Sequence, residues 1–116
     1  MTYIDGFVAA VPTANKEAYL KHAKDSVPVF KKYGALRCME NWGVDVPDGE
    51  LTSFPLAVKA KPDETIVLAW IVWPSKQVRD AGMEKAVQDP FFTEETEMPF
   101  DGSRMLMGGF ETILDE

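Results

Sequence analysis

Residues 66–78 read IVLAWIVWPSKQV, and the reading of this stretch decides the fold. Ile66 to Trp73 is an unbroken apolar run, rich in β-branched and aromatic side chains. Such a run implies a strand buried on both faces. Pro74 withdraws a backbone donor and ends it, and Ser75 is placed to cap a helix that runs to about Asp89, ahead of Pro90.

The same grammar recurs towards the N-terminus. Tyr3–Val11 is a run of strand formers closed by Pro12, with Thr13 and Asn15 as a cap region. Asn15 to Tyr33 reads as a helix, because Tyr19, Ala23, Val27 and Phe30 recur at helical spacing between lysines. Pro28 should kink it and Gly34 should stop it. Leu36 to Gly43 reads as a second strand, followed by turn chemistry at Pro47-Asp48-Gly49. Ser53 to Lys59 fits a helix with Pro55 in its first turn, or a short strand. Residues 90–101 read as an acidic connection containing Phe and Pro, and Met105 to Leu114 as the last strand.

The order is thus strand–helix–strand, twice. It predicts an α+β, ferredoxin-like βαββαβ domain, a four-stranded antiparallel sheet with two helices on one face. The first and last strands are expected side by side in the middle region of the sheet. The remaining face has no helix to cover it, so pairing of two sheets into a dimeric α+β barrel is the expected assembly.

At 116 residues the chain is one domain, 1–116. A chain of this size buries only about two thirds of its unfolded surface and gains by sharing an apolar face with a second copy. The net charge of −7 argues against nucleic acid or an anionic membrane as partner. The excess is local: residues 62–116 carry four basic and twelve acidic side chains, chiefly a solubilising face. No stretch reaches the about 20 apolar residues of a membrane span, and the first residues lack a secretory pattern, so a cytoplasmic location is expected. Cys38 is the only cysteine and His22 the only histidine. Disulfide frameworks, intrachain cysteine pairs and Cys/His zinc sites are excluded, and a metal would need oxygen ligands or a site shared across a dimer. The segment VDVPDGE lacks the ligand run of an EF-hand and reads as a turn. Neither a metal nor a cofactor is expected.

Alternation sorts the strand side chains into two sets. Asp5 and Phe7 share one side of the first strand, and Ile4, Gly6, Val8 and Ala10 the other. Because the second set is small and apolar, it is expected to pack on the helices. The Asp5/Phe7 face, joined by Cys38, Glu40, Trp42 and Glu111, is expected to face away from them and to line a cavity closed by a partner copy. In this register Asp5 lies opposite Glu111 and Phe7 opposite Gly109. Two carboxylates so placed can form an acid/base pair or hold a hard cation, although a solvated or salt-bridged cluster is the commoner outcome. Trp42 and Trp70 are candidate pocket walls, with core or interface packing as the alternative. Cys38 is expected to act as a small hydrophobe rather than a nucleophile, and His22 to be solvent-exposed. Arg104 either clamps a ligand anion bidentately or pins the PFDG turn and pairs with an acid. Gly108–Gly109 lacks phosphate-loop spacing and precedes no helix, so it reads as a sheet-packing device.

The stretches YIDGFVAAVP, GALRCMENWGVDVPDG, WPSKQVRDA and MPFDGSRMLMGGFE, spread almost end to end, resemble the YbaA-like bacterial family, domain of unknown function 1428. The resemblance implies the dimeric α+β barrel superfamily. It carries no catalytic residues over, because superfamily members range from cofactor-free monooxygenases to plain ligand binders. The leading expectation is a homodimer binding a small organic molecule in a pocket on the inner sheet face. The alternatives are a cofactor-independent monooxygenase- or isomerase-like enzyme using Asp5, Glu40 or Glu111, and a purely structural or protein-binding dimer.

Overall fold

The computed structural model describes residues 1–94 and 98–116. In chain order the elements are β1 (Tyr3–Pro12), α1 (Lys16–Lys32), β2 (Arg37–Trp42), α2 (Phe54–Ala57), β3 (Glu64–Trp73), α3 (Lys76–Ala86), α4 (Pro90–Thr93) and β4 (Leu106–Glu111). The sheet order is β2-β3-β1-β4, and each neighbouring pair is antiparallel. This is the expected α+β, ferredoxin-like arrangement, with a sheet that does not close within one chain.

Local chemistry explains most boundaries. Ser75 accepts from the Val78 amide and starts α3, and Ser53 accepts from the Leu56 amide with Pro55 in the first turn of α2. The helical alternative for residues 53–59 therefore holds. α1 continues past Pro28 to Lys32. The helix expected to reach Asp89 ends at Ala86, because Asp89 accepts from the Phe91 amide and caps the separate turn α4. Of the acidic connection 90–101, residues 95–97 lie outside the described residues. β4 stops at Glu111 rather than Leu114, and it is an edge strand, adjacent to β1 as expected but outside the middle of the sheet.

The face assignment is reversed. Asp5 points towards α3, 2% exposed, and its Oδ2 accepts from Trp73 Nε1 at 2.8 Å. From α3, Arg79 donates Nε to Oδ1 at 3.0 Å and Nη2 to Oδ1 at 2.9 Å. A carboxylate stripped of water needs such donors, and only the helix side supplies them. Arg79 also lies over the Tyr3 ring, 5.0 Å from its centroid. Tyr3, Phe7, Ala9 and Val11 thus face the helices, opposite Trp73, Ala69, Val67 and Thr65 of β3. The small set Ile4, Gly6 and Val8 faces the open side instead.

The β1–β4 register is also two residues from expectation. Asp5 pairs with Gly109, Tyr3 with Glu111 and Gly6 with Gly108. Gly109 has its place because a Cβ there would strike Tyr3 Oη and lie 2.7 Å from Arg79 Nη2. The expected Asp5–Glu111 acid pair does not form.

Two buried clusters fill the helix side, one around Tyr3, Ala35, Ile71 and Trp73 and one around Ala9, Val11, Val67 and Ala69. A third, of Ala10, Val58 and Ile66, lies under α2 at one corner of the other face. Among the described residues nothing covers the rest of that face: Leu68 is 40% exposed, Leu106 45% and Phe110 60%.

Arg79→Leu leaves Asp5 buried without its cation. We expect a loss of about 3–5 kcal/mol of folding free energy in denaturant titration, partly recovered by adding Asp5→Asn. A cost below about 1 kcal/mol would contradict this account of β1 orientation.

Candidate functional site

The residues singled out from the sequence separate into three places. Asp5 is spent on Trp73 and Arg79. Arg104 is likewise spent: it grips Glu64 through Nη1 at 2.8 Å and Nη2 at 2.6 Å, and its Nε donates to Asp101 at 3.0 Å. It also donates to the Lys59 carbonyl. Those donors hold the β3 and β4 starts together, and the Arg104 charge keeps the Glu64 carboxyl below the usual range. Glu111 is exposed on the β4 edge. Trp70 faces the open side of the sheet, paired with Gly6 of β1, so it stands on the opposite face from Asp5 and Glu40.

Phe7, Cys38 and Glu40 converge on a cavity of about 130 Å³ between α1 and the helix side of the sheet. The stripe Tyr19, Ala23, Val27 and Phe30 forms its roof, and Val67, Ala69 and Ile71 form its floor. Phe92 and Phe100 wall it on the chain's C-terminal side. Tyr19 meets Phe100 edge-on at 5.5 Å between centroids, and Phe30 meets Phe92 at 5.5 Å. A larger groove of about 480 Å³ beside Val44, Pro55 and Pro62 is open to solvent to a similar degree, but no aromatic side chain lines it.

The polar end of the cavity is a pair. Tyr19 Oη donates to Glu40 Oε1. Glu40 sits on edge strand β2 and is exposed to solvent on its outer side, while the apolar walls crowd its carboxyl from the cavity side. Burial pushes its pKa up, and the Tyr19 hydroxyl partly offsets that. Burial, and then the Glu40 carboxylate, push the Tyr19 phenol up as well. Cys38, half-buried, has its thiol raised mainly by burial and stays protonated near neutral pH. Trp42 borders a smaller adjoining hollow of about 80 Å³ with Lys16, Leu20 and Glu40. Lys16 Nζ lies 5.4 Å from the Trp42 ring centroid.

Two lining residues differ from expectation. His22 is half-buried rather than solvent-exposed, stacked on Phe91 at 5.4 Å, and burial lowers its pKa. Its lysine-rich neighbours disguise it, because the covering ring comes from α4. Tyr19 reads as one member of an apolar stripe; its hydroxyl acquires a partner only when β2 brings Glu40 beneath α1. Among the described residues, no group of three or more His, Cys, Asp or Glu side chains is placed to hold a metal ion. No helix among them is long and apolar enough to cross a membrane.

Fold and cavity together define a ferredoxin-like α+β domain with an apolar pocket between its first helix and its sheet. The family model for "Protein of unknown function (DUF1428)" matches residues 2–102, and the chain belongs to that family. It is 54% identical to "Uncharacterized protein YbaA" of Escherichia coli K12 over 117 residues, covering both chains fully, and equally so to that of Shigella flexneri. Solved structures extend the fold likeness. A dimeric ferredoxin-like protein from an uncultured marine organism superposes with a TM-score of 0.64 at 10% identity, over 99% of this chain and 98% of that one. A NIPSNAP domain protein from Burkholderia xenovorans gives 0.58 at 13% identity, over 98% and 99%.

The raised carboxyl of Glu40 has a testable sign. Its folded-state pKa exceeds the unfolded value of about 4.3, so the folded state holds the proton more tightly. Ionised Glu40 therefore costs stability once pH rises through that folded value, and the cost is absent below the unfolded one. Glu40→Gln should raise Tm at pH 8, with a gain that disappears below about pH 4. A Tm lowered at pH 8 would show that the carboxylate stabilises the fold.

Proposed function

We propose that this protein is a homodimer that binds a small organic molecule in the cavity between α1 and the sheet. The observation that carries the reading is the cavity itself. It is mostly apolar, roofed by one face of α1, and polarised at one end by Glu40 and Tyr19. Ligand sites commonly combine apolar walls with a few fixed polar groups. The location differs from the expected one, since the pocket lies under the helix rather than between two sheets.

The dimer rests on the open face. Val8, Leu68, Leu106 and Phe110 leave an apolar groove there. The Phe110 ring lies over Gly6 and Gly108, within contact distance of the place a Cβ would take at either. A contiguous apolar sheet face of this kind favours burial against an identical face. The dimeric ferredoxin-like neighbour supports such an assembly by analogy of fold.

An acid/base enzyme is the second reading, favoured by the raised Glu40 carboxyl. Asp5 and Glu111 do not contribute to it, one being saturated with donors and the other exposed at an edge.

Light scattering after size exclusion should give twice the 13.0 kDa chain mass. Leu68→Asp with Phe110→Asp should halve it without loss of secondary structure. A wild-type monomer at micromolar concentration ends the dimer proposal. For the pocket, Ala23→Leu adds apolar volume to the roof. It should raise the Tm of the ligand-free protein and abolish the stabilisation produced by hits in a thermal-shift screen of small metabolites. Hits indifferent to Ala23→Leu would place the binding elsewhere.

A further inference from the structure

We propose that the molecule this cavity accepts is a small phenol, its ring among the phenylalanines and its hydroxyl donating to Glu40. The inference rests on the reading of the cavity as a ligand site and narrows it to a chemical class. Size is the first constraint. At about 130 Å³ the space is close to the about 150 Å³ of an engineered apolar cavity that binds benzene. The part enclosed between α1 and the sheet suits one six-membered ring, and because the hollow is partly open to solvent its substituents can reach water.

Wall chemistry is the second constraint. Phe7 comes from β1, Phe30 from α1 and Phe92 from α4, and Phe100 meets Tyr19 edge-on. Rings arriving from separate elements offer a guest ring both edges and faces, the offset and T-shaped contacts that aromatic pairs prefer. An aliphatic guest of equal volume would forgo those contacts.

The polar end sets the third. Tyr19 commits its proton to Glu40 Oε1, and no donor among the described residues reaches Oε2. The group available to a guest is therefore a hydrogen-bond acceptor bearing negative charge. A guest carboxylate would meet like charge there, while a plain arene would leave the acceptor unused. A protonated amine would have to shed its water among phenylalanine rings for one carboxylate. Lys16 already stands beside this end, over the neighbouring Trp42 ring. A neutral hydroxyl on an aromatic ring satisfies the acceptor without drawing a charge in among the rings.

Isothermal titration of the full-length protein with phenol, benzene, benzoate and benzylamine separates these possibilities. Phenol should bind at least about tenfold tighter than benzene, as a hydrogen bond to a charged acceptor requires. Benzoate should bind more weakly than benzene. Glu40→Leu should bring phenol and benzene to equal affinity while benzene binding persists, and Glu40→Gln should keep part of the preference. In Ala23→Leu both arenes should be excluded. Equal binding of phenol and benzene by the wild type overturns the phenol assignment and leaves the pocket reading standing. So does benzylamine as the tightest of the four. If no arene binds, the phenol assignment also fails; the pocket reading then fails with it only if the metabolite screen yields no hit sensitive to Ala23→Leu.

Discussion

The structure turns on one buried carboxylate. Asp5 lies in the middle of the sheet at 2% exposure, where an unpaired charge would cost several kcal/mol. Its donors come from the end of β3, at Trp73, and from the first turns of α3, at Arg79. These groups follow each other closely in sequence, so one strand–helix junction supplies both. Once Asp5 is turned towards that junction, alternation along β1 directs Phe7, Ala9 and Val11 to the same side. The antiparallel ladders then carry the choice through β3 into β2, bringing Cys38, Glu40 and Trp42 beneath the helices.

Close backbone approach lets this arrangement pack. Gly109 leaves room for Tyr3 and Arg79 beside Asp5. Gly82 allows α3 to lie against the Trp73 ring, where a Cβ would sit 2.6 Å from it and would strike the Tyr33 carbonyl. Trp73 is fully buried in consequence. Near the other end of β1 no large side chain among the described residues fills the equivalent space under α1. Ala9, Ala23 and Ala69 are all small, and the cavity is what they leave. The two faces of the sheet thus have different roles: one is packed by helices around a pocket, and the other, from Val8 to Phe110, is apolar and open.

Much of this was legible in the residues. The apolar run before Pro74-Ser75, the helical stripe from Tyr19 to Phe30 and the punctuation by Pro and Gly lead to the observed element order. The grouping of Asp5 and Phe7 with Cys38, Glu40 and Trp42 was legible too, because side-chain period and antiparallel pairing are local rules. The sign of the grouping was not. Each set of β1 residues mixes small and apolar members, and size favoured Gly6 and Val8 as the helix-facing set. The deciding donors lie on Arg79, 74 residues from Asp5, and no local pattern couples them. His22 and Tyr19 were obscured for a related reason, since their partners Phe91 and Glu40 reach them only through tertiary packing.

By itself, then, the sequence determined the α+β class, the order of strands and helices, and which strand side chains share a face, all consequences of periodicity and turn chemistry within short windows. Tertiary structure decided which face meets the helices, the register of the last strand, and the meeting of Glu40 with Tyr19 over an apolar cavity. The physical reason is burial. A carboxylate removed from water must be oriented by whatever donors the folded chain brings within hydrogen-bond reach, and those donors come from distant positions that local propensity does not encode.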